Sequence, residues 1–282
     1  MQMVVEGISY QYWRQERPAL DDIHFTIPEG SYTALIGPTG SGKSTLLHIL
    51  GGLLRPTAGR VRLGKWVLDS KSKNLVEYRR HIGMIFQNPE YQLFAETVEK
   101  DIAYGLRQLG YPESEIKERV EQAIKWLGLP LEWKTRSPFQ LSWGQMRKVA
   151  LAGVFAMKPK VLLLDEPTAG LDALSKKRLR SWIKEWRQRE ACTVVHVTHD
   201  MNEVADFADQ VVVLYQGRLV LKGTPGKVFE QPDQLKKVGL DIPDITKLII
   251  KLNQSLTPPI PLNLTTLKQL LAHLEMRRSL SL

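Results

Sequence analysis

The stretch that decides the fold of this chain is Gly37-Pro38-Thr39-Gly40-Ser41-Gly42-Lys43-Ser44-Thr45. It matches the pattern G-x-x-x-x-G-K-[S/T], which cradles phosphate groups. Residues 32–36 before it form a short apolar run typical of a buried strand, and residues 46–53 after it repeat leucine and isoleucine at helical spacing. A glycine loop between a strand and a helix is the context that this pattern needs. The stretch therefore predicts an α/β fold built around a phosphate-binding loop.

Each part of this loop has a chemical reason. Glycines let the backbone approach a phosphate chain closely, and successive N–H groups of residues 37–45 form an anion nest. The helix that follows adds the positive end of its dipole. Lys43 can reach the terminal phosphates, and the Ser44 hydroxyl can hold Mg²⁺. We therefore expect the chain to bind a nucleoside triphosphate, ATP, together with Mg²⁺.

A second apolar run, residues 161–164, predicts a central parallel strand that ends in Asp165 and Glu166. A strand that delivers a carboxylate beside a phosphate loop supplies the Mg²⁺ ligand that such loops require, so Asp165 is the predicted ligand. Glu166, one residue later, is the predicted general base that polarises the attacking water. The alternative interpretation is a pair of structural acids.

Two more polar side chains follow predicted strands. Gln87 comes directly after residues 79–86, which predict a strand, so its amide can face the metal and the attacking water. His199 follows a predicted strand at residues 192–197 and can donate a hydrogen bond to the γ-phosphate. His196, two positions earlier, is interpreted as structural. The predicted catalytic residues are Glu166, His199 and Gln87, and the predicted metal ligands are Ser44, Gln87 and Asp165.

Two further features carry weaker signals when they are taken alone. An aromatic side chain ahead of the loop can stack on an adenine ring; Tyr12 is the first choice, with Trp13 or Tyr10 as alternatives, although a strand-end aromatic often packs on the core. Ser142 is a predicted N-cap for a helix that runs to residue 157. Free N–H groups at a helix start form an anion site, but a routine cap has the same pattern.

The amino-acid composition indicates a globular protein. The chain has 282 residues, 43% hydrophobic and 24% charged, which is typical of globular proteins with a sizeable core. Its net charge is +9, but the basic residues are scattered, which favours a solvated surface over a nucleic-acid footprint. No run is long and apolar enough to span a bilayer, and no signal pattern is present, so we expect a cytoplasmic chain unless a partner holds it at a membrane. The single cysteine, Cys192, is expected to pack in the core.

Changes in composition along the sequence predict the boundaries between subdomains. Residues 98–129 have a helical composition that interrupts the strand pattern and predicts a separate subdomain. Before it, residues 91–94 carry aromatic side chains that often mark a partner surface. Beyond residue 225, short helical patterns predict a tail that docks on the core or on a second subunit.

Taken in order, six motifs resemble those of ABC-type ATPase subunits. They are the glycine loop, Gln87, Leu141-Ser142-Trp143-Gly144-Gln145, Asp165-Glu166, Asp172 and His199. The resemblance spans essentially the whole chain and implies a P-loop NTPase of ABC type. Its implied parts are a RecA-like lobe with an antiparallel β subdomain at residues 1–90 and 159–226, an inserted helical lobe at 91–158 and a small C-terminal helical extension at 227–282. It also implies head-to-tail dimers, in which Ser142 and Gly144, with Gln145 beside them, meet the γ-phosphate of ATP held by the opposite subunit.

Three segments narrow this resemblance. They are similar to energy-coupling factor transporter ATPases and read Asn88-Pro89-Glu90-Tyr91-Gln92-Leu93-Phe94, Gln145-Met146-Arg147-Lys148-Val149-Ala150 and, in the C-terminal extension, Val238-Gly239-Leu240-Asp241-Ile242-Pro243. Of the two ATPase types in that family, the first two segments resemble the A-prime, or second, type. That family implies an ATP-hydrolysing importer subunit for vitamins or transition-metal ions, peripheral on the cytoplasmic side of the cell membrane. Its implied partners are a second related ATPase, a membrane coupling protein that contacts residues 91–94, and small substrate-binding membrane proteins, with no nucleic acid.

Trp143 departs from the family pattern, which has a glycine at this position. A bulky indole there would crowd the neighbouring ATP, so Trp143→Gly is expected to preserve or raise the ATPase activity of the dimer. Two alternative functions stay open at this point: a soluble ABC ATPase that acts on ribosomes or nucleic acid, and the homodimeric motor of a cobalt or nickel importer. The transported substrate is not encoded in a motor subunit that never touches it.

Overall fold

The structure is a computed structural model that describes residues 1–13 and 16–280, so part of the predicted turn at residues 12–18 and the last two residues of the tail lie outside the described residues. Its strands are β1 Met3–Tyr10, β2 Leu20–Ile27, β3 Tyr32–Ile36, β4 Ala58–Leu63, β5 Trp66–Asp69, β6 Ile82–Ile85, β7 Val161–Asp165, β8 Thr193–Val197, β9 Gln210–Tyr215 and β10 Arg218–Gly223. Its α-helices are α1 Lys43–Leu50, α2 Val76–Arg80, α3 Val98–Gln108, α4 Glu113–Trp126, α5 Trp143–Ala156, α6 Ala173–Glu190, α7 Met201–Phe207, α8 Pro225–Phe229, α9 Pro232–Lys237, α10 Asp244–Leu252 and α11 Leu267–Leu280. Short 3-10 turns lie at Pro89–Gln92, Leu131–Thr135 and Pro138–Gln140.

A six-stranded sheet in the order β10-β9-β3-β8-β7-β6 carries the site. The strands from β9 to β6 are parallel, and β10 runs antiparallel to β9. Every residue of β3 and β8 is buried, as expected of strands that are covered on both faces. Because parallel strands end at the same edge, the loops that begin after β3, β6, β7 and β8 meet there.

A four-stranded antiparallel sheet, in the order β2-β1-β4-β5, covers α1. Leucines of α1, including Leu46 and Leu50, pack between residues of this sheet and Leu163 of β7. The helix that follows the phosphate loop is therefore held between two sheets. Its first turn is consequently fixed relative to the strand ends.

The helical block lies between β6 and β7, as the sequence predicts. α3, α4 and α5 pack around Ile102, Val120 and Phe155, in a cluster that continues to Leu162 of the sheet and Trp186 of α6. The α4 residues that repeat at helical spacing are the buried ones, among them Ile116, Val120 and Ile124. α5, which begins immediately after Ser142, is thus anchored in both groups of elements.

One predicted strand is shorter than expected. Residues 79–86 run into a strand as expected, but this strand, β6, covers only Ile82–Ile85, and residues 76–80 before it form α2. Tertiary contacts decide this: the buried Tyr78 hydroxyl donates to the carbonyl of Leu50 at 2.7 Å, and Arg79 donates to the carbonyl of Gly52. These bonds satisfy carbonyls at the end of α1, which a strand would leave unpaired.

The tail docks on the core. Phe229 of α8 and Leu235 of α9 are buried against Val211 and Val213 of β9. α10 and α11 form a smaller cluster of their own around Ile249, and Asp244 is joined to Asn202 by two hydrogen bonds of 2.8 and 2.9 Å. Within residues 1–13 and 16–280, no helix has the length and apolar character needed to cross a membrane.

Candidate functional site

A cavity of about 480 Å³ opens at the carboxyl edge of the six-stranded sheet. Six residues of the predicted phosphate loop line it: Thr39, Gly40, Gly42, Lys43, Ser44 and Thr45. Glu166 and His199 form another part of its lining, and Tyr12 and Arg17 a further part. A second cavity of about 430 Å³ lies near Tyr32 and Asp209, at the amino ends of β3 and β9. Ligands of open parallel sheets bind at the carboxyl edge, so the cavity of about 480 Å³ is the candidate site.

The glycines of the loop are required by its shape. Gly42, the N-cap of α1, has a φ of 102°, and a Cβ atom there would lie 2.5 Å from the carbonyl oxygen of Ala19. A Cβ atom on Gly37 would lie 2.3 Å from the carbonyl oxygen of Leu214 and 2.5 Å from the hydroxyl of Ser41. Gly40 also has a positive φ, of 78°, but nothing lies within 4 Å of its Cβ position. The loop is therefore packed closely against the protein at Gly37 and Gly42 and is open at Gly40.

Lys43 is held inside the loop. Its Nζ donates to the carbonyl oxygens of Gly37 and Pro38, at 2.7 and 2.9 Å, and the residue is only 6% exposed. Burial lowers the pKa of this ammonium, while the carboxylates of Glu166 and Asp165 act in the opposite direction. An ammonium that donates to two carbonyl oxygens can exchange them for phosphate oxygens, which are stronger acceptors.

Asp165 ends β7 beside the first turn of α1. The Ser44 hydroxyl donates to Asp165 Oδ1 at 3.4 Å, so the two predicted metal ligands are adjacent. Burial raises the pKa of Asp165, and the hydrogen bond from Ser44 partly opposes this shift. A half-buried carboxylate next to a hydroxyl is a set of hard oxygen donors, and a divalent cation bound there would offset the cost of burying the charge. The residues present therefore fit Mg²⁺.

Glu166 and His199 are in direct contact. Nε2 of His199 lies 2.7 Å from Oε1 of Glu166. Glu166 has a φ of 46°, which is unusual for a residue with a side chain, and its N–H donates to the carbonyl of Val197 on β8. The chain therefore turns sharply at the end of β7, and this turn brings the carboxylate of Glu166 to the imidazole that follows β8.

Two predicted site residues, Gln87 and Tyr12, differ in their position relative to the cavity. Gln87 is exposed, two residues beyond the end of β6, and it is not part of the cavity lining. The hydroxyl of Tyr12 lies 3.1 Å from the hydroxyl of Thr45, and its ring meets Tyr10 edge to face at 4.9 Å. Tyr12 thus faces the cavity, whereas Trp13 is 84% exposed and is not part of its lining. The structure brings together the phosphate loop, Tyr12, Asp165, Glu166 and His199, but not Gln87.

The second predicted anion site is a capped helix start. Ser142 is the N-cap of α5, and its N–H donates to Oε1 of Gln145 at 2.9 Å. Ser142, Gly144 and Gln145 border a separate cavity of about 250 Å³, which does not include Trp143. The indole of Trp143 is 59% exposed and meets the ring of Tyr91 edge to face at 5.3 Å. Within this chain the two predicted anion sites are separate, because Ser142 does not line the cavity of the phosphate loop.

Sequence reasoning missed two features around these sites. Arg17 lines the cavity and adds a positive charge, and the only signal was a basic residue in the turn that carries Tyr12. Arg147 forms a buried two-pronged ion pair with Glu90, with distances of 2.8 and 3.0 Å. The adjacent Asn88 and the carbonyl of Ala169 also accept from Arg147. No pattern in the sequence pairs residues 57 positions apart.

Two predictions about buried residues are confirmed. Nδ1 of His196 is 2.6 Å from the hydroxyl of Tyr32, and complete burial lowers the pKa of the imidazole to about 3, so His196 is a neutral structural residue. Cys192 is fully buried, and burial raises the pKa of its thiol to about 12. Neither residue lines the candidate site.

Comparisons with known proteins agree with this geometry. The model of the ABC transporter family matches residues 20–169. An energy-coupling factor transporter ATP-binding protein EcfA2 from Clostridium acetobutylicum is 45% identical over 258 residues, covering 90% of each chain. The protein of the same name from Halalkalibacterium halodurans is 47% identical over 241 residues, which are 85% of this chain and 86% of that one.

Solved structures give the same result. The structure of cbiO1 from Clostridium perfringens, described as part of the ABC transporter complex cbiONQ, is 37% identical with a TM-score of 0.73 and covers 88% of this chain and 98% of its own. A dimeric post-hydrolysis state of the ATP-binding cassette MJ0796, bound to ADP and Pi, is 28% identical with a TM-score of 0.70 and covers 79% of this chain and 98% of its own.

These matches and the phosphate-loop site define the chain as an ABC-type ATPase with the P-loop fold that the sequence predicts. Within the ABC transporter family it belongs to the energy-coupling factor transporter ATP-binding proteins, and its relatives carry the designation of the second type. The ABC-type fold expected from the sequence is confirmed. A soluble ABC ATPase that acts on ribosomes or nucleic acid is not favoured.

Proposed function

We propose that this chain is the ATP-driven motor subunit of an energy-coupling factor importer, which powers uptake of vitamins or transition-metal ions through membrane partners. The observation that carries the proposal is the single cavity lined by both the phosphate loop and the Glu166–His199 pair. A site that only stores a nucleotide has no need for a carboxylate held beside the terminal phosphates. The motor is therefore proposed to bind ATP and to hydrolyse it in the same cavity.

Binding of ATP rests on the loop and its helix. The N–H groups of residues 37–45 and the amino end of α1 face the phosphates, and the closely packed positions of Gly37 and Gly42 keep this nest in shape. Lys43 exchanges its two carbonyl partners for phosphate oxygens. Tyr12 and Arg17 line the same cavity as the phosphate loop. Tyr12 is proposed to stack on adenine.

Hydrolysis rests on Glu166 and His199. Glu166 accepts the proton of the attacking water, and the imidazole at 2.7 Å holds its carboxylate in place. In the ATP-bound state the Nε2–H of His199 would donate to the γ-phosphate instead of to Glu166, so loss of that phosphate changes the contact. Ser44, Asp165 and, once its loop closes, Gln87 would hold Mg²⁺, which supplies positive charge to the phosphate oxygens. Phosphoryl transfer of this kind depends mainly on positioning and electrostatics.

The composite site needs a second subunit. Ser142, Gly144 and Gln145 stand at the amino end of α5, away from the cavity of their own phosphate loop. They are proposed to meet ATP that is bound by the opposite ATPase, a related chain in a heterodimer. The relative described as part of the complex cbiONQ is consistent with such assembly. A homodimeric motor of a cobalt or nickel importer is the alternative, and the identity of the second ATPase decides between them.

The membrane coupling subunit is proposed to dock on residues 91–94, and smaller membrane subunits that bind the substrate complete the complex. Tyr91 and Phe94 are 72% and 60% exposed, although aromatic side chains are usually covered. Docking there would hold the chain at the cytoplasmic side of the cell membrane as a peripheral subunit. No contact with nucleic acid is proposed.

The test is purification of the tagged chain from detergent-solubilised membranes. We expect a related ATPase and an integral membrane protein to co-purify, and Tyr91→Ala with Phe94→Ala to reduce the yield of the membrane protein. Leu53→Ala, at another exposed apolar side chain, is the matched control. Purification without any membrane protein, or salt-dependent retention of nucleic acid instead, would contradict the proposal.

A further inference from the structure

The loop after β6 is fastened to the first turns of α5 by a buried ion pair. Nε and Nη2 of Arg147 donate to the two carboxylate oxygens of Glu90, at 2.8 and 3.0 Å. The side chains are 10% and 8% exposed, so water and salt hardly screen the pair. Two parallel bonds fix the direction of the arginine as well as its distance. Glu90 and Arg147 therefore hold the loop and the helix in one relative position.

Arg147 also reaches the loop that follows β7. Its Nη2 donates to Oδ1 of Asn88 at 3.3 Å, and its Nη1 donates to the carbonyl of Ala169 at 3.4 Å. Asn88 is the neighbour of Gln87, and Ala169 lies three residues beyond Glu166. One guanidinium thus joins the helix of Ser142 to two of the three loops that carry predicted catalytic residues, those of Gln87 and Glu166.

A second contact lies on the same face of α5. Residues 143 and 147 are one helical turn apart, and their partners, residues 91 and 90, are neighbours in the loop. The rings of Trp143 and Tyr91 meet edge to face at 5.3 Å with an interplanar angle of 79°, a favourable arrangement for an aromatic pair. Unlike the ion pair, both rings are largely exposed. The aromatic contact is therefore accessible to a docking protein, whereas the ion pair is not.

We propose that these two contacts form a clamp, Glu90–Arg147 and Tyr91–Trp143, which sets the position of Ser142 and Gly144 according to whether the membrane coupling subunit is docked on residues 91–94. Neither Arg147 nor Trp143 lines the cavity of the chain's own phosphate loop, although Arg147 borders the cavity of Ser142 and Gly144. Because the guanidinium donates to Glu90, Asn88 and Ala169, both residues are proposed to act by positioning. Trp143 then has a positive role, because its indole packs on Tyr91 and lies outside the cavity bordered by Ser142. The identity of the docked protein rests on the proposed function, but the clamp itself lies within one chain.

The clamp predicts a separation between nucleotide binding and turnover. In the purified complex, Glu90→Gln is expected to lower ATP turnover at least about tenfold while the affinity for ATP stays close to wild type. Arg147→Lys, which keeps the charge but cannot form the two-pronged pair, should be intermediate. A purely structural role would lower both quantities together.

The exposed pair is tested by a double-mutant cycle. Tyr91→Ala and Trp143→Ala are each expected to lower turnover by about 2- to 10-fold, and the double variant should fall no further than the more affected single variant. Trp143→Phe, which keeps an aromatic ring, should retain most of the activity. Phe139→Ala is the matched control, because Phe139 is also 59% exposed in the helical block.

Three outcomes are distinguishable. The clamp is overturned if the effects of Tyr91→Ala and Trp143→Ala on ATP turnover are independent, so that they multiply in the double variant. It is also overturned if Trp143→Ala or Trp143→Gly turns over ATP at the wild-type rate. Wild-type or higher turnover in Trp143→Gly is the result expected if the indole crowds the neighbouring ATP. If Glu90→Gln does not fold, the cycle between the two exposed residues still decides. If no membrane protein co-purifies but the cycle in the ATPase dimer is non-additive, the docking assignment fails and the clamp stands.

Discussion

Glu166→Gln should separate ATP binding from ATP hydrolysis in this protein. The substitution keeps the size of the side chain and an oxygen that can still accept a hydrogen bond from His199, whose Nε2 lies 2.7 Å from Oε1 of Glu166. What it removes is the negative charge and the ability to accept a proton from water. Binding contacts of the phosphate loop are untouched, because Lys43 is held by the carbonyls of Gly37 and Pro38 and not by Glu166.

The size of the effect follows from the role of the carboxylate. A positioned general base contributes about 10²- to 10⁴-fold to the rate of proton transfer, which corresponds to about 3–5 kcal/mol of transition-state stabilisation. Hydrolysis should therefore fall by that factor. ATP affinity should be unchanged or slightly higher, because a carboxylate that lines the same cavity as the phosphates repels them.

Phosphate release at saturating ATP measures the first quantity, and equilibrium titration with ATP in the presence of Mg²⁺ measures the second. Glu132→Gln, at an exposed carboxylate in the helical block, is the matched control and should leave both unchanged. Asp165→Asn should instead weaken Mg²⁺-dependent binding, since it alters a proposed metal ligand. Turnover near the wild-type rate, or loss of ATP binding in Glu166→Gln, would refute the assignment of this residue as the base.

Three further predictions concern the fold. Gly42→Ala should lower the melting temperature more than Gly40→Ala. Both positions have a positive φ, but only the Cβ atom at Gly42 would meet a backbone oxygen, that of Ala19 at 2.5 Å. Equal shifts in melting temperature would contradict this reasoning. Burial lowers the pKa of His196 from 6.5 to about 3. Between these pH values only the unfolded chain takes up the proton, so the free energy of unfolding falls as the pH falls, by up to about 1.4 kcal/mol per pH unit. In urea denaturation, the free energy of unfolding of His196→Gln should depend less on pH below 6.5 than that of the wild type. An identical pH dependence would exclude the histidine as the cause. Cys192, buried with a thiol pKa raised to about 12, should resist a disulfide reagent at pH 8 in the native state and react fully in denaturant, whereas rapid native labelling would show that β8 opens.

Much of the candidate site could be predicted because its residues follow strands directly. A loop of glycines needs only local backbone freedom, and an apolar run that ends in a carboxylate places that carboxylate at the end of a buried strand. Gly37, Asp165 and His199 were therefore assigned to one sheet edge from the sequence alone, and the parallel sheet places them there. Gln87 also follows its strand closely, two residues after the end of β6, but its side chain is exposed and does not line the cavity.

Contacts between distant segments were the part that sequence could not supply. The short helix α2 was not expected from the sequence; in the structure Tyr78 and Arg79 donate hydrogen bonds to the carbonyls of Leu50 and Gly52, which follow from the packing against α1. The contact between the rings of Trp143 and Tyr91 is also visible only in the structure. In both cases the deciding partner lies many residues away, and side-chain periodicity carries no information about it.

The sequence by itself therefore determined the class of fold, the phosphate loop and the order of the acidic and histidine residues, because each depends on local backbone geometry and on hydrophobic period. Only the tertiary structure decided that Glu166 and His199 lie within hydrogen-bonding distance of each other. The same is true of the contacts by which Arg147 joins the helix of Ser142 to two loops. Such contacts depend on how separate strands and helices are packed around common clusters of buried side chains. That packing is a property of the folded chain as a whole, since no single segment can bury its apolar face alone.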